Sequence, residues 1–408
     1  MIEKVINPLL RIVILLSIFS CENTQYPDDI WDPDAEPLPD PVISSVLPAD
    51  STYAGIGIVT ITGENFSETL EDNIVFFNGI KGTVLTATTT ELEVQTPNII
   101  SDSVMIKVAV SGAFLFGVYE NYYKLYPAMI EYGPFDDYTD VWALDIDKDE
   151  NLYVSVGSPD KEIWKVTANQ DTTTVYGSTI ADKASGMKFG PDGSLYYVNI
   201  LSFMFIMPPG GGSGYSLVSI PGGVTDLDFD SNGNLYLGGS GNAVYTYMTD
   251  GTIKTSANYP EIYIKSIRVF DNNVFVAGEY QGSDSTAVHF GIWKNAIISE
   301  SGDLDSAELV FDWGDYTEDD GSEILCITFS NDGDIFMGSD REDEALTIYY
   351  MDEGYAEPFY ETILSAPINY LAWGNGNYLY ATNRVEGAKR IIRIDTGREG
   401  APYYGRPN

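Results

Sequence analysis

The chain has 408 residues, enough for two or three domains, and 44% of them are hydrophobic. Its 61 acidic residues face 21 basic ones, and the resulting formal charge of −40 sets the folded surface against nucleic-acid phosphates and anionic lipid headgroups. A single histidine, His289, leaves no second imidazole for a zinc site and argues against a serine-histidine triad.

Lys4 and Arg11 precede an apolar run over residues 12–19 that is too short to span a bilayer, which reads as an export signal. Ser17 to Cys21 resembles a bacterial lipobox, with an aliphatic residue at −3 and a small residue before the cysteine, although Phe19 at −2 departs from the pattern. The resemblance implies a signal peptide over residues 1–20 and acylation of Cys21, which would anchor the protein to a membrane in the cell envelope, at the outer membrane or cell surface. Simple secretion is the alternative. Acylation would also remove Cys21 from disulfide chemistry. Cys326, inside the apolar run Ile324 to Ile327, reads as a buried thiol. Residues 21–40 mix proline with acid and show no periodicity, as an extended tether would. Acidic residues soon after the cysteine also resemble the surface-export signals of Bacteroidetes-type lipoproteins.

Residues 41–126 carry short alternating strands at close spacing, the pattern of a β-sandwich. The turn Gly63 to Phe66, the hairpin Phe76 to Gly79 and the strand ending at Pro97 resemble an IPT/TIG domain, an immunoglobulin-like fold. That resemblance implies a rigid spacer.

From residue 127 onward one hairpin recurs. Met187 to Val198 joins an alternating strand to an aromatic, branched one through Pro191, Asp192 and Gly193, residues suited to a tight turn. Related hairpins begin at Leu144, Leu227, Ile267, Ile327 and Leu371, at steps of 43, 40, 40, 60 and 44. A period of about 40–45 residues is that of a four-stranded propeller blade. Six copies predict six blades over residues 127–408, so the expected fold is all-β, a sandwich followed by a six-bladed β-propeller. The long step marks an insertion over Glu279 to Asp320. The last copy lacks a fourth strand, and Met129 to Gly133 is expected to supply it. Phrases such as Ser231 to Leu237 resemble those of NHL-type and TolB-like propellers, a scaffold that carries enzymes and binding modules alike.

Asp145, Asp147 and Asp149 alternate as in a calcium loop, but Glu150 stands where that loop needs glycine, so a solvated turn is expected; Asp226, Asp228 and Asp230 read the same way. Some six-bladed hydrolases and lactonases hold a divalent cation with Glu, Asn and Asp from different inner strands. By that resemblance Asp140, Glu323 and Asn369 are the metal candidates of a lactonase- or lyase-like enzyme acting on a sugar or lactone derivative. Lys265, at an equivalent position, speaks against it. Otherwise no cofactor is expected. Tyr153, Tyr196, Tyr236 and Tyr380 share one strand position and read as packing. Trp142, Tyr263 and Tyr370, near inner-strand starts, and Trp293, Trp313 and Tyr316, in the insertion, are the candidate ligand-binding residues. The favoured function is a non-catalytic, lipid-anchored binding protein for a glycan or protein ligand. The metal-dependent enzyme and a structural envelope component stand as alternatives.

Overall fold

The computed structural model describes residues 36–385 and 388–406. The export signal, Cys21 and most of the tether lie outside the described residues.

The N-terminal unit is a β-sandwich. One sheet runs in the order Val42–Leu47, Ile58–Glu64, Glu91–Gln95, Thr83–Ala87, and a second in the order Gly117–Val118, Ile106–Val110, Asn73–Phe77, Ile80–Lys81. A three-stranded sheet of Ser51–Tyr53, Tyr123–Tyr126 and Ser101–Val104 completes it. Alternation places Val59, Ile61, Val75, Phe77, Leu92, Val94, Ile106 and Val108 in one core, while the intervening residues face outward.

The remaining chain forms six antiparallel sheets, each beginning with the recurrent hairpin. The first contains Val141–Ile146, Leu152–Val156, Glu162–Val166 and Thr173–Ser178, with Gly212–Ser213 added in parallel at its edge. The second contains Gly186–Phe189, Leu195–Val198, Phe203–Met207 and Tyr215–Ser219, and the third Asp226–Phe229, Leu235–Gly238, Ala243–Tyr247 and Ile253–Asn258. The fourth contains Ile262–Phe270, Asn273–Tyr280, Phe290–Ala296 and Glu308–Asp312, and the fifth Ile324–Phe329, Ile335–Ser339, Leu346–Tyr350 and Tyr355–Pro358. In the sixth, Ile368–Trp373, Tyr378–Val385 and Ala388–Asp395 are joined by Met129–Glu131, with Met129 opposite Ile394 and Glu131 opposite Ile392. The fourth strand of the last sheet therefore comes from the other end of the unit, as its missing strand suggested. The first strand of each sheet packs beside the first strand of the next, and that of the sixth beside that of the first.

The length between Glu279 and Asp320 is not a separate insertion. Phe290–Ala296 and Glu308–Asp312 are the third and fourth strands of the fourth sheet, and the surplus goes into longer connections and a short helix, Trp313–Thr317, capped by Asp312. The strand Asn273–Tyr280 is also longer than the second strands of the first, second, third and fifth sheets, which adds to the step.

The two alternating aspartate runs are solvated only in part: Asp149 is exposed and Asp147 partly so at their turn, but Asp145, Asp226, Asp228 and Asp230 are buried. The first strands lie side by side without a ladder between them, so their inward N–H groups need other acceptors. Asp145 accepts from the Phe189 amide at 2.8 Å, Asp226 from Ile267 at 3.0 Å and Asp228 from Val269 at 2.9 Å. Each carboxylate thus ties one sheet to the next. Asp147 and Asp230 instead organise the turns and receive the repeat tyrosine hydroxyls, Tyr153 at 3.0 Å and Tyr236 at 3.2 Å.

Candidate functional site

At the end of the six sheets where the first strands begin, Asp140 precedes the first strand and Trp142 lies on it. Two cations lie over the indole, with Lys183 Nζ 3.1 Å and Arg384 Cζ 3.5 Å from a ring centroid. Trp142 Nε1 donates to Asp140 Oδ2 at 2.6 Å, and Arg384 Nη2 and Lys389 Nζ each donate to Oδ1 at 3.1 Å. Burial works to raise the Asp140 pKa, but the Trp142 and Lys389 hydrogen bonds and the Arg384 charge outweigh it and hold it below the usual carboxylate range. Burial, and then the charge of Arg384, lower the Lys183 pKa. Arg384 Nε is buried with no partner among the described residues.

Farther round the same rim, Lys265 donates to Glu323 Oε2 at 2.8 Å and lies 3.0 Å from Glu279 Oε2. Burial opposes its charge, but the two carboxylates prevail and raise its pKa. Half-buried Tyr263 lies beneath this lysine, its ring centroid 5.2 Å from Nζ. Among the metal candidates, Asp140 is bound to Trp142, Arg384 and Lys389, Glu323 to Lys265, and Asn369 accepts from the Arg384 amide at 3.2 Å. Each is thus engaged by other protein groups, and no group of three or more His, Cys, Asp or Glu among the described residues is placed to hold a metal ion.

Tyr370 does not reach the rim. It is 5% exposed and runs inward between the sheets, where its hydroxyl accepts from the Met187 amide at 3.3 Å and donates to Asp226 Oδ1 at 3.2 Å. Arg268 Nη1 pairs with Asp226 Oδ2 at 2.9 Å, and Lys188 lies 3.6 Å from Asp145, so the interior is an ionic network. Three further candidates also sit away from Trp142. Trp313 is fully buried between the fourth and fifth sheets, its Nε1 donating to Ser322 O at 3.1 Å, and so offers a ligand no ring face. Tyr316 packs beside it and donates to Glu344. Half-buried Trp293 packs at the boundary of the third and fourth sheets against Tyr259. These side chains are large enough to fill gaps between splayed sheets, which is where the fold uses them.

The opposite end of the six sheets is covered by the C-terminal segment, a feature missed in the sequence. Tyr403 Oη lies 3.0 Å from Thr328 Oγ1 and accepts from the Trp373 amide at 3.2 Å, while its ring lies 3.8 Å from Lys188 Nζ. Arg406 donates to Trp373 O at 2.6 Å, Gly374 O at 3.1 Å and Asn375 Oδ1 at 3.0 Å. A polar, aromatic tail of this kind carries no periodic signal; only Tyr403, Tyr404 and Arg406 in a Gly- and Pro-rich end hint at it.

Comparison with known proteins bears on the fold. The chain is 14% identical to an auxiliary nutrient binding protein from Bacteroides thetaiotaomicron, with a TM-score of 0.50 over 89% of this chain and 99% of that one. It is 11% identical to a second protein from Bacteroides thetaiotaomicron, provisionally named a phosphatase, with a TM-score of 0.55 over 90% of this chain and 99% of that one. A search of curated proteins finds no relative of the chain. Residues 41–124 match the IPT/TIG domain family, so the N-terminal sandwich is an IPT/TIG domain within an all-β chain.

Proposed function

We propose that residues 127–408 form a closed six-bladed β-propeller and that the chain is a non-catalytic binding protein of the cell envelope. In this reading residues 1–20 are a signal peptide, Cys21 carries the lipid anchor, residues 21–40 are a tether, and the IPT/TIG unit over residues 41–126 spaces the propeller from the membrane. The ligand, a glycan or a protein, meets the rim around Trp142. The observation that carries this is the asymmetry of the two ends: the C-terminal segment covers one, and the other presents an indole beneath Lys183 and Arg384, with Lys389 on the neighbouring Asp140 carboxylate. Of the two relatives compared, one is named for nutrient binding and the other for phosphatase activity, so their fold is compatible with more than one use.

Two measurements test the proposal. A Cys21→Ser chain should lose acylation and leave the detergent-extracted membrane fraction; a variant that stays acyl-labelled and membrane-bound removes the anchor. The soluble chain should then bind members of a glycan array or a captured protein ligand, and Trp142→Ala should weaken that binding about thirtyfold, as loss of a central aromatic anchor worth about 2 kcal/mol does. Unchanged affinity in a folded Trp142→Ala variant places the site elsewhere.

A further inference from the structure

The seam between the IPT/TIG unit and the sixth sheet forms a partly open pocket of about 510 Å³, lined from the sandwich side by Ser51, Thr52, Tyr53 and Tyr126 and from the sheet by Tyr378 and Arg393, among others. Its volume lies within the roughly 300–1,000 Å³ of small-ligand sites, which favour domain interfaces. The walls are fixed to each other: Tyr53 Oη donates to Asp395 at 2.6 Å, and Thr362 Oγ1 donates to Gly55 O at 3.1 Å. Three tyrosines line one small space; Arg393 lies over the Tyr378 ring and Lys124 over that of Tyr126, so a sugar ring would meet the remaining faces and edges together with the Tyr126 and Tyr378 hydroxyls.

Arg393 adds a charge preference. Its guanidinium lies 4.2 Å from the Tyr378 ring centroid and 5.3 Å from that of Tyr132, yet it forms no ion pair among the described residues. The carboxylate that shares the cavity, Asp395, is taken by Tyr53 and by the Gly397 amide at 3.1 Å. Stacking holds the guanidinium plane still while leaving its N–H fork free, which suits bidentate recognition of a carboxylate.

We propose that this seam binds a uronate residue, a sugar ring carrying one carboxylate, with the tyrosines on the ring and Arg393 on the acid. The site is distinct from the rim around Trp142. Calorimetry on the full chain with glucuronic acid, glucose and a glutamate-containing tripeptide tests it. Glucuronic acid should bind at least tenfold more tightly than glucose, and the advantage should shrink with added salt. Arg393→Met should bring glucuronic acid down to the level of glucose, whereas Tyr126→Ala, on the sandwich wall, should weaken both sugars. Equal binding of the two sugars by the wild-type chain, or tighter binding of the tripeptide, overturns the proposal. So does binding that survives in Arg393→Met and Tyr126→Ala but disappears in Trp142→Ala, which would place it at the rim. If Arg393→Met fails to fold, Tyr126→Ala alone decides, and undiminished binding there counts against the seam.

Discussion

Tyr53 of the IPT/TIG unit and Asp395 of the sixth sheet, 342 positions apart in sequence, share a 2.6 Å hydrogen bond in which the phenol donates to the carboxylate. Burial, followed by that bond, raises the Tyr53 pKa, so the phenol remains the donor across the ordinary pH range. A bond to a charged acceptor contributes about 1.5–3 kcal/mol, toward the low end here because the pair is only partly buried. Tyr53→Phe keeps the ring and removes the bond, and it should let the two units melt apart. Calorimetry should show one transition splitting into two, with the sandwich unfolding first or last; a single unchanged transition would show that the bond does not couple them.

Asp226 and Asp228 stand two residues apart on one strand, yet neutralising them should have different effects. Asp226→Asn leaves Arg268, 2% exposed, without the carboxylate 2.9 Å away, and stranding a buried charge costs about 3–5 kcal/mol. Burial raises the Asp228 pKa, only partly countered by Lys188 and Arg268, so that site tolerates a neutral group better. Asp228→Asn should cost about 1 kcal/mol, the scale of one net hydrogen bond. Urea unfolding of both variants reads the difference, and equal losses would contradict it.

Gly405 has no room for a side chain: a Cβ would stand 2.3 Å from Phe189 O and 2.5 Å from Phe229 Cδ2. Gly405→Leu should therefore lift the C-terminal segment and destabilise the protein by about 1–3 kcal/mol, the usual cost of overpacking. Tyr403 would lose its contact with Lys188. Faster chymotryptic cleavage at Tyr403 and Tyr404 is the accompanying readout, and wild-type protection would show that the segment absorbs the change.

Acid should act on the rim through Asp140. Its folded pKa lies below the ordinary 3.8, so its contribution to stability is fully present above about pH 3.8 and fades as pH falls through the lowered value. Asp140→Asn should melt below wild type at pH 7, and the two curves should converge toward pH 2. A gap that persists in acid would mean that the loss comes from packing rather than charge.

Much of the sheet architecture was legible because it rests on local chemistry. The turn Pro191–Gly193 and the alternation before Phe189 specify a hairpin wherever they occur, and six repeats of that pattern correspond to six sheets. Partners set by distant chain were harder to read. Asp226 resembles a turn residue in a local window, but its acceptor role is fixed by Ile267 and Arg268 on the next sheet. Trp313 was readable as a large aromatic in an unusual stretch, but its burial depends on Ile324 and Phe329 arriving from the fifth sheet. At the rim, Asp140 and Trp142 were identifiable from their place at a strand start. Lys183, Arg384 and Lys389 were not, because three separated cations acquire a common role only when the sheets bring them together.

Pairing Met129 with Ile394 sets an order of events during biosynthesis. The sandwich strands lie in one continuous stretch and can pair without the rest of the chain. Met129–Glu131 has to wait, with its edge unpaired, until the last strand of the sixth sheet has been made. Until then the strand edge is an open template for other chains, so a holding chaperone that shields it should raise the yield of correctly paired molecules.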